Sequence, residues 1–469
     1  MTVRDAGSGR AEGARPGVRP RGGPAPEGGP PAGGRTTVVA VRRSRLRPAW
    51  WWTLPVIAVA VGVRIPFLPE ISGDYTAFVS RWYDWIASHG HLAALRDPTF
   101  ANYNPPYLYL LALVGYLPVP KLLAVKSISI VFDVVLALVA SRFAARRSPG
   151  WAPLVAAAVV LLLPTVVVNG AGWGQCDSIY ASCTIAALLL AVRRRPVWAG
   201  LLFGIAVAFK LQAVFAAPML LLVVLAHRER IRSVAGAAGA AVAGFVALWV
   251  PALLAGAPLS VLLAVYPNQV TGGGVGGGGR GVGGAVASAP YTYNAPNFYQ
   301  WLPAGAPTVW TWSGYLLVVL SVIAVAALVL PHPDRSATDV LLLAAAALAV
   351  AVPFFLPSMH ERYFFLADVL TVVAAVRNRW MWPVAAAVQL ASLAAYAPFL
   401  WHTTPIPLAA AAAVEAAALA GSLVVLGLRL RLPPTGRRVP DGARTAGPAP
   451  EAPARTAGVA VAAGGTEPV

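Results

Sequence analysis

Apolar runs of roughly twenty residues, the length that crosses a bilayer, recur from Trp50 to Leu428, with arginines gathered in the short gaps between them. Inside lipid a backbone must satisfy its own hydrogen bonds, so runs of this kind fold as membrane-spanning helices. The chain has 469 residues, of which 58% are hydrophobic and only 12% charged. That is too little charge to cover a soluble body of this size. The expected fold class is therefore all-α, a polytopic membrane protein with roughly eleven to thirteen transmembrane helices, counting several short runs.

The spans occupy residues 49–431, flanked by a basic N-terminal tail, 1–48, and a second tail, 432–469. Gly, Pro, Ala and Arg dominate both tails, a composition expected to stay disordered. No signal-peptide pattern opens the chain, so the first span is expected to be a retained anchor. The net charge of +18 is mostly arginine in the tails and short loops. These residues are not interleaved with aromatics on one soluble face, which argues against nucleic acid as a partner. They fit positive-inside topology and contact with anionic membrane lipids. Cys176 and Cys183 are the only cysteines, and their spacing on a helix is too wide for a disulfide.

Counting spans from the arginines at positions 42–47 places three polar clusters outside: Asp74 with its aromatic neighbours, Asn169–Asp177, and Ser358–Tyr363. Lys210, at the tip of a short apolar hairpin, joins them on the same side. The piece from Pro106 to Leu117 is short for a full crossing and reads as a half-span. A long outer loop, 256–310, holds a nearly pure glycine insertion, 272–284. It lacks the Gly-Lys-Ser/Thr ending of a phosphate loop and reads as flexible linker.

Each cluster has a plain reading and a chemical one. Asp74 precedes an amphipathic stretch and suits a helix N-cap; held at the membrane boundary, it also suits a general base for a hydroxyl. Asp84 and Asp97 are weaker candidates in the same loop. Trp173 and Gln175 offer a stacking face and an amide for a sugar, while Asp177 is also an ordinary helix-start residue. His360, Glu361, Arg362 and Tyr363 form the densest ionisable run outside the tails and arginine loops. Arg362 can clamp a phosphate bidentately with His360 or Tyr363 donating beside it; an interfacial Arg–Glu pair is the plain alternative. Lys210 reads as a phosphate contact or a snorkelling side chain. Asp133, on one helical face with Lys126, reads as a packing group or a support for the first loop. Glu415 is expected to pair within the bundle. Tyr291, Tyr293, Asn294 and the aromatics up to Trp301 suit a saccharide groove or an interfacial belt.

Gly73-Asp74-Tyr75, Asn104-Pro105-Pro106, Gly174-Gln175-Cys176-Asp177, Lys210-Leu211-Gln212 and His360-Glu361-Arg362-Tyr363 occur in that order. In this the chain resembles the GT-C superfamily of integral-membrane glycosyltransferases. The likeness is to the glucosyl- and mannosyltransferases of N-glycan and GPI-anchor assembly that use polyprenyl-phosphate sugars, and to their bacterial mannosyltransferase-like relatives. The resemblance implies inverting transfer of a hexose, with mannose expected, on the extracytoplasmic face of the cell membrane. It implies a polyprenyl-phosphate sugar donor and a glycan, glycolipid or protein acceptor. By the same resemblance Asp74 is the catalytic base, and His360, Arg362 and Lys210 meet the donor phosphate. Tyr75, Trp173, Gln175, Asp177, Glu361 and Tyr363 contact substrate. No cofactor is expected, because the lipid-linked sugar is itself a substrate; no metal ligand set is read, and a divalent metal stays open. Cys176 and the glycine-rich insertion depart from the family pattern. The rival readings are a transporter or flippase of lipid-linked saccharide and a non-catalytic subunit of a transferase complex.

Overall fold

The structure, a computed structural model, describes residues 50–145, 150–271, 291–303 and 307–431. The expected tails and the 272–284 insertion lie outside the described residues. Seventeen α-helices, nine short 3-10 or π segments and a single pair of two-residue strands make up the regular structure among the described residues, so the all-α expectation holds.

Among the described residues six helices are long and apolar enough to cross a membrane: Lys121–Ala145, Ile231–Ala255, Val309–Val329, Thr338–Phe355, Arg379–Leu400 and Leu408–Arg431. A seventh crossing arises if Ala152–Leu162 and Pro164–Trp173, bent by 52°, count as one span. The other expected spans are apolar helices of 10–17 residues, among them Pro105–Val114, Pro196–Phe209 and Leu211–His227. Local chemistry explains the shortening. Pro164 cannot continue the helix before it and starts a new one. Lys210 adopts extended backbone, φ −154° and ψ 130°, which separates the two arms of its hairpin.

Helix Thr338–Phe355 is apolar on every side and buried on every side from Asp339 to Phe354, as an all-round hydrophobic helix must be. Phe365–Arg377 packs against it and is buried from Phe365 to Ala375. These two helices are the centre of the bundle, and the 359–363 loop joins them. Elsewhere backbones meet closely. A Cβ on Gly200 would stand 2.0 Å from the Ala237 carbonyl oxygen, and one on Gly204 only 1.9 Å from that of Ala241. Small residues four apart let the 196–209 and 231–247 helices touch, the usual solution in lipid where apolar burial gives no drive.

The arginine-bearing helix ends meet one another. Arg193 donates to the Arg142 carbonyl, Arg377 to the Phe143 carbonyl and Arg335 to the Ala226 carbonyl. Arg429 pairs with Asp339 at 2.6 Å and Asp334 at 3.2 Å. Several of these helices run from this basic end to the loops that carry the polar clusters. Glu415 departs from expectation: it is fully buried, yet neither carboxylate oxygen has a hydrogen-bond partner among the described residues.

Candidate active site

Ser72, not Asp74, caps the helix that follows the first loop. Its hydroxyl accepts from the Tyr75 amide at 3.2 Å, whereas Asp74 has helical backbone and makes no capping bond. The Asp74 side chain instead turns to the second cluster. Its Oδ2 accepts from Trp173 Nε1 at 3.0 Å and Gln175 Nε2 at 2.5 Å, and Oδ1 has no hydrogen bond among the described residues. The amphipathic helix Ser80–Ser88 buries Trp82 and Ile86 and leaves Trp85 exposed. Asp84 is exposed and bound by Lys121 at 2.9 Å, and Asp97 accepts from Thr99; neither lines the cavity described below.

The second cluster is built by an irregular turn. The Pro164 helix ends in one wide turn over Val168–Trp173, and Gly174 takes φ 76°, a left-handed conformation glycine adopts without strain. Trp173 is buried, stacked on Phe399 at 4.8 Å with Tyr396 edge-on at 5.3 Å. Asp177, also buried, accepts from Lys210 at 2.5 Å and from Asn169 at 2.8 Å. Lys210 reaches it because the helix breaks there. The same ammonium donates to Gln175 Oε1 at 3.3 Å, which leaves the amide nitrogen of Gln175 facing Asp74. Asp177, Lys210, Gln175 and Asp74 thus form one chain of charge-assisted bonds.

The third cluster is held by residues 291–294, near the end of the long 256–310 loop. Thr292–Tyr293 pairs in parallel with Met359–His360, and the amides of Ser358 and Glu361 donate to the carbonyls of Tyr291 and Tyr293 at 2.7 and 3.1 Å. The His360 ring stacks on Tyr293 at 4.6 Å. Arg362 donates to Glu361 Oε1 at 2.8 Å, lies 3.7 Å from Asp74 Oδ2, and sits over the Trp173 ring at 5.4 Å. Burial pushes the Glu361 carboxyl up, but the His360 contact and the Arg362 charge outweigh it and hold the group below its ordinary value. Burial likewise opposes the Arg362 charge, and Asp74 and Glu361 together keep it firmly protonated.

These clusters converge on a cavity of about 820 Å³. Asp74, Gln175, Lys210, His360, Glu361, Arg362 and Tyr363 all line it, as do Tyr293 and Asn294. Tyr75, Trp173 and Asp177 do not: Tyr75 packs into an apolar cluster with Trp82 and Leu95, and the other two stand behind the wall. Tyr103, Asn104, Tyr107 and Tyr266 also line the cavity, and of these only Asn104, within its Asn-Pro-Pro run, was singled out from the sequence. Tyr103 precedes the Pro105–Val114 helix and Tyr107 lies in its first turn, flanking that run without marking a cavity. Cys176 also lines the cavity, its thiol pushed up by burial. Among the described residues no three His, Cys, Asp or Glu side chains are grouped to hold a metal.

The molecule is thus a multi-pass α-helical membrane protein whose cavity sets two acids, Asp74 and Glu361, among fixed cations and amides. The sequence matches the family model of glycosyltransferase family 87 over residues 100–358, more than half of the chain, and the protein belongs to that family. The matched segment includes Gln175, Asp177 and Lys210; Asp74 precedes it and His360 follows it. Among solved structures, the crystal structure of ArnT from Cupriavidus metallidurans bound to undecaprenyl phosphate aligns with a TM-score of 0.47 and 14% identity, over 82% of this chain and 78% of that chain. No curated protein matches the chain. Family membership bears out the expected glycosyltransferase activity and the membrane setting.

Proposed function

We propose that the protein transfers a hexose, with mannose expected, from a polyprenyl-phosphate donor to an acceptor hydroxyl, with inversion and with Asp74 as general base. One observation carries the reading. Asp74 has one oxygen anchored by Trp173 and Gln175 and the other open, with Arg362 3.7 Å away in the same cavity. The anchored oxygen fixes the carboxylate; the open one can take a proton from the acceptor hydroxyl as that oxygen attacks the anomeric carbon. The bond from that carbon to the donor phosphate breaks, and the departing lipid phosphate gathers negative charge. Arg362, held by Glu361 and still carrying free N–H groups, and His360, held flat by Tyr293, meet that charge. Lys210 lines the cavity too, but Asp177 engages its charge, so its part is to orient Gln175.

The acids of the cavity support inversion: a route through a glycosyl-enzyme would call for a second carboxylate beside Asp74, and Glu361 is taken up by Arg362 and His360. The arginine-bearing helix ends, which gather away from these loops, support the extracytoplasmic side, as positive-inside topology asks. A lipid-borne donor suits a site with a bilayer around it and needs no nucleotide there. A chain in a large polyprenyl donor class is tested directly. Membranes holding the protein are incubated with radiolabelled polyprenyl-phosphate mannose and, separately, polyprenyl-phosphate glucose. Protein-dependent loss of label from the mannose donor into a larger product is expected; no transfer from either donor would refute the proposal.

A further inference from the structure

Both loops that build the surroundings of Asp74 are fastened to one face of one helix. Lys126, Ser129 and Asp133 lie on Lys121–Ala145 at spacings that share a face, and they are 1%, 0% and 0% exposed. Lys126 Nζ donates to the carbonyls of Phe67, Leu68 and Glu70 at 2.8, 3.0 and 2.7 Å, which uses all three ammonium hydrogens. Ser129 donates to the Gln175 carbonyl at 2.6 Å. Asp133 accepts from Arg64 at 2.9 Å and from Ser178 at 2.5 Å. The two loops are also pinned to each other, since the Ser72 hydroxyl donates to the Trp173 carbonyl at 2.8 Å.

A lysine buried in a membrane bundle is costly and is not needed for packing. Lys126 makes no ion pair among the described residues; three loop carbonyls hold its ammonium, and the Glu70 carboxylate is the nearby charge that favours it. The Phe67 and Leu68 carbonyls end a short 3-10 turn, and the Glu70 carbonyl opens residues 70–72, which form no helix or strand and lead into Asp74. The stem of Lys126 also lies 3.7 Å from the position of a Cβ on Gly174, beside the turn that presents Gln175.

We propose that Lys126 is a positioning residue: by gripping three carbonyls just before Ser72 it sets where Asp74 meets the acceptor hydroxyl. The inference rests on Asp74 being the base. It acts on placement alone, and a misplacement of about 1 Å costs on the order of a hundredfold in rate.

The test is a double-mutant cycle on the full chain in membranes, with radiolabelled polyprenyl-phosphate mannose as the probe. Lys126→Met keeps the length and apolar packing of the stem and removes every donor. In the wild-type background it is expected to lower kcat about tenfold to a hundredfold with the donor KM within about twofold. In the Asp74→Asn background the same change is expected to cost less than about twofold, because a lost base has no placement left to lose. An equal loss in both backgrounds, or a raised donor KM with kcat unchanged, overturns the proposal. If Lys126→Met does not fold, Lys126→Arg carries the same cycle: it keeps the charge but moves the carbonyls, so a smaller loss that again vanishes with Asp74→Asn is expected. Near-normal transfer by Asp74→Asn alone would instead remove the base assignment, and this proposal with it, in an arm separate from the cycle. A wild-type chain that moves no label would reject the transfer reading itself.

Discussion

Arg362 stands 3.7 Å from Asp74 Oδ2, near enough to attract it and too far for an ordinary hydrogen bond, while its close partner is Glu361 at 2.8 Å. The guanidinium is therefore tied to a neighbour that takes no part in bond making, and the acid is left unlatched. An arginine locked onto Asp74 would neutralise the base it sits beside.

In the proposed reaction Arg362 binds the donor phosphate. Arg362→Ala is expected to lower kcat/KM for the lipid donor by about two to three orders of magnitude, the range for losing an electrostatic clamp on a leaving group. Arg362→Lys should recover only part of it, because lysine keeps the charge without the planar fork. Steady-state transfer at varied donor concentration reads both; unchanged kcat/KM in Arg362→Ala would count against the phosphate role.

Glu361 gives a pH dependence. Its carboxyl is held below the ordinary glutamate value of 4.5, so the folded state binds its proton later than the unfolded chain does. The stability it contributes is fully present above about pH 4.5 and is lost as pH falls through the lower folded value. The difference in melting temperature between wild type and Glu361→Gln in detergent should therefore stay level from neutral pH down to about 5 and shrink on further acidification. A difference that grows on acidification below this range would show the opposite shift.

Lys210 and Asp177 should behave as a unit. Lys210→Met leaves a buried carboxylate without its cation and is expected to cost about 3–5 kcal/mol. Lys210→Met with Asp177→Asn should regain most of that stability, since neither charge is then stranded. Turnover of the double variant should stay low, because Gln175 has lost the donor that turns its amide toward Asp74. Denaturation and transfer measured on the same preparations separate the two effects.

Glu415 is the converse case. It is buried with no hydrogen-bond partner among the described residues and has an acid, Asp368, as its charged neighbour. An isolated buried acid is a burden, so Glu415→Met is expected to stabilise the protein by about 1–3 kcal/mol with turnover unchanged. A fall in melting temperature would mean that Glu415 has a partner the bundle needs.

Much of this site could be read from the chain because membrane proteins make charge conspicuous. Asp74, Gln175, Lys210 and the His360–Tyr363 run stand out against an apolar background, and their order carried a family likeness. What could not be read was orientation. Tyr75 and Trp173 looked equally able to face a sugar, and packing turned both into the wall, leaving Trp173 its single N–H toward Asp74. Tyr103, Tyr107 and Tyr266 are neutral aromatics that an interfacial belt would also supply, so nothing in their composition marks a cavity. The grip of Lys126 is invisible for a different reason: its acceptors are backbone carbonyls, which every residue has. The short spans followed from Pro164 and from the backbone at Lys210, where local geometry outweighed hydropathy.

The role of Asp74 is the central claim, and one substitution tests it. Asp74→Asn keeps the size of the side chain and an oxygen for Trp173 and Gln175, so the protein should fold, but the amide that replaces the open oxygen cannot take a proton. Loss of a general base is expected to cost about two to four orders of magnitude in turnover. The measurement is kcat for transfer from radiolabelled polyprenyl-phosphate mannose by well-folded Asp74→Asn protein beside the wild type. A drop of that size, with donor KM little changed, is what the account predicts; turnover within about threefold of wild type would contradict it and move the base elsewhere.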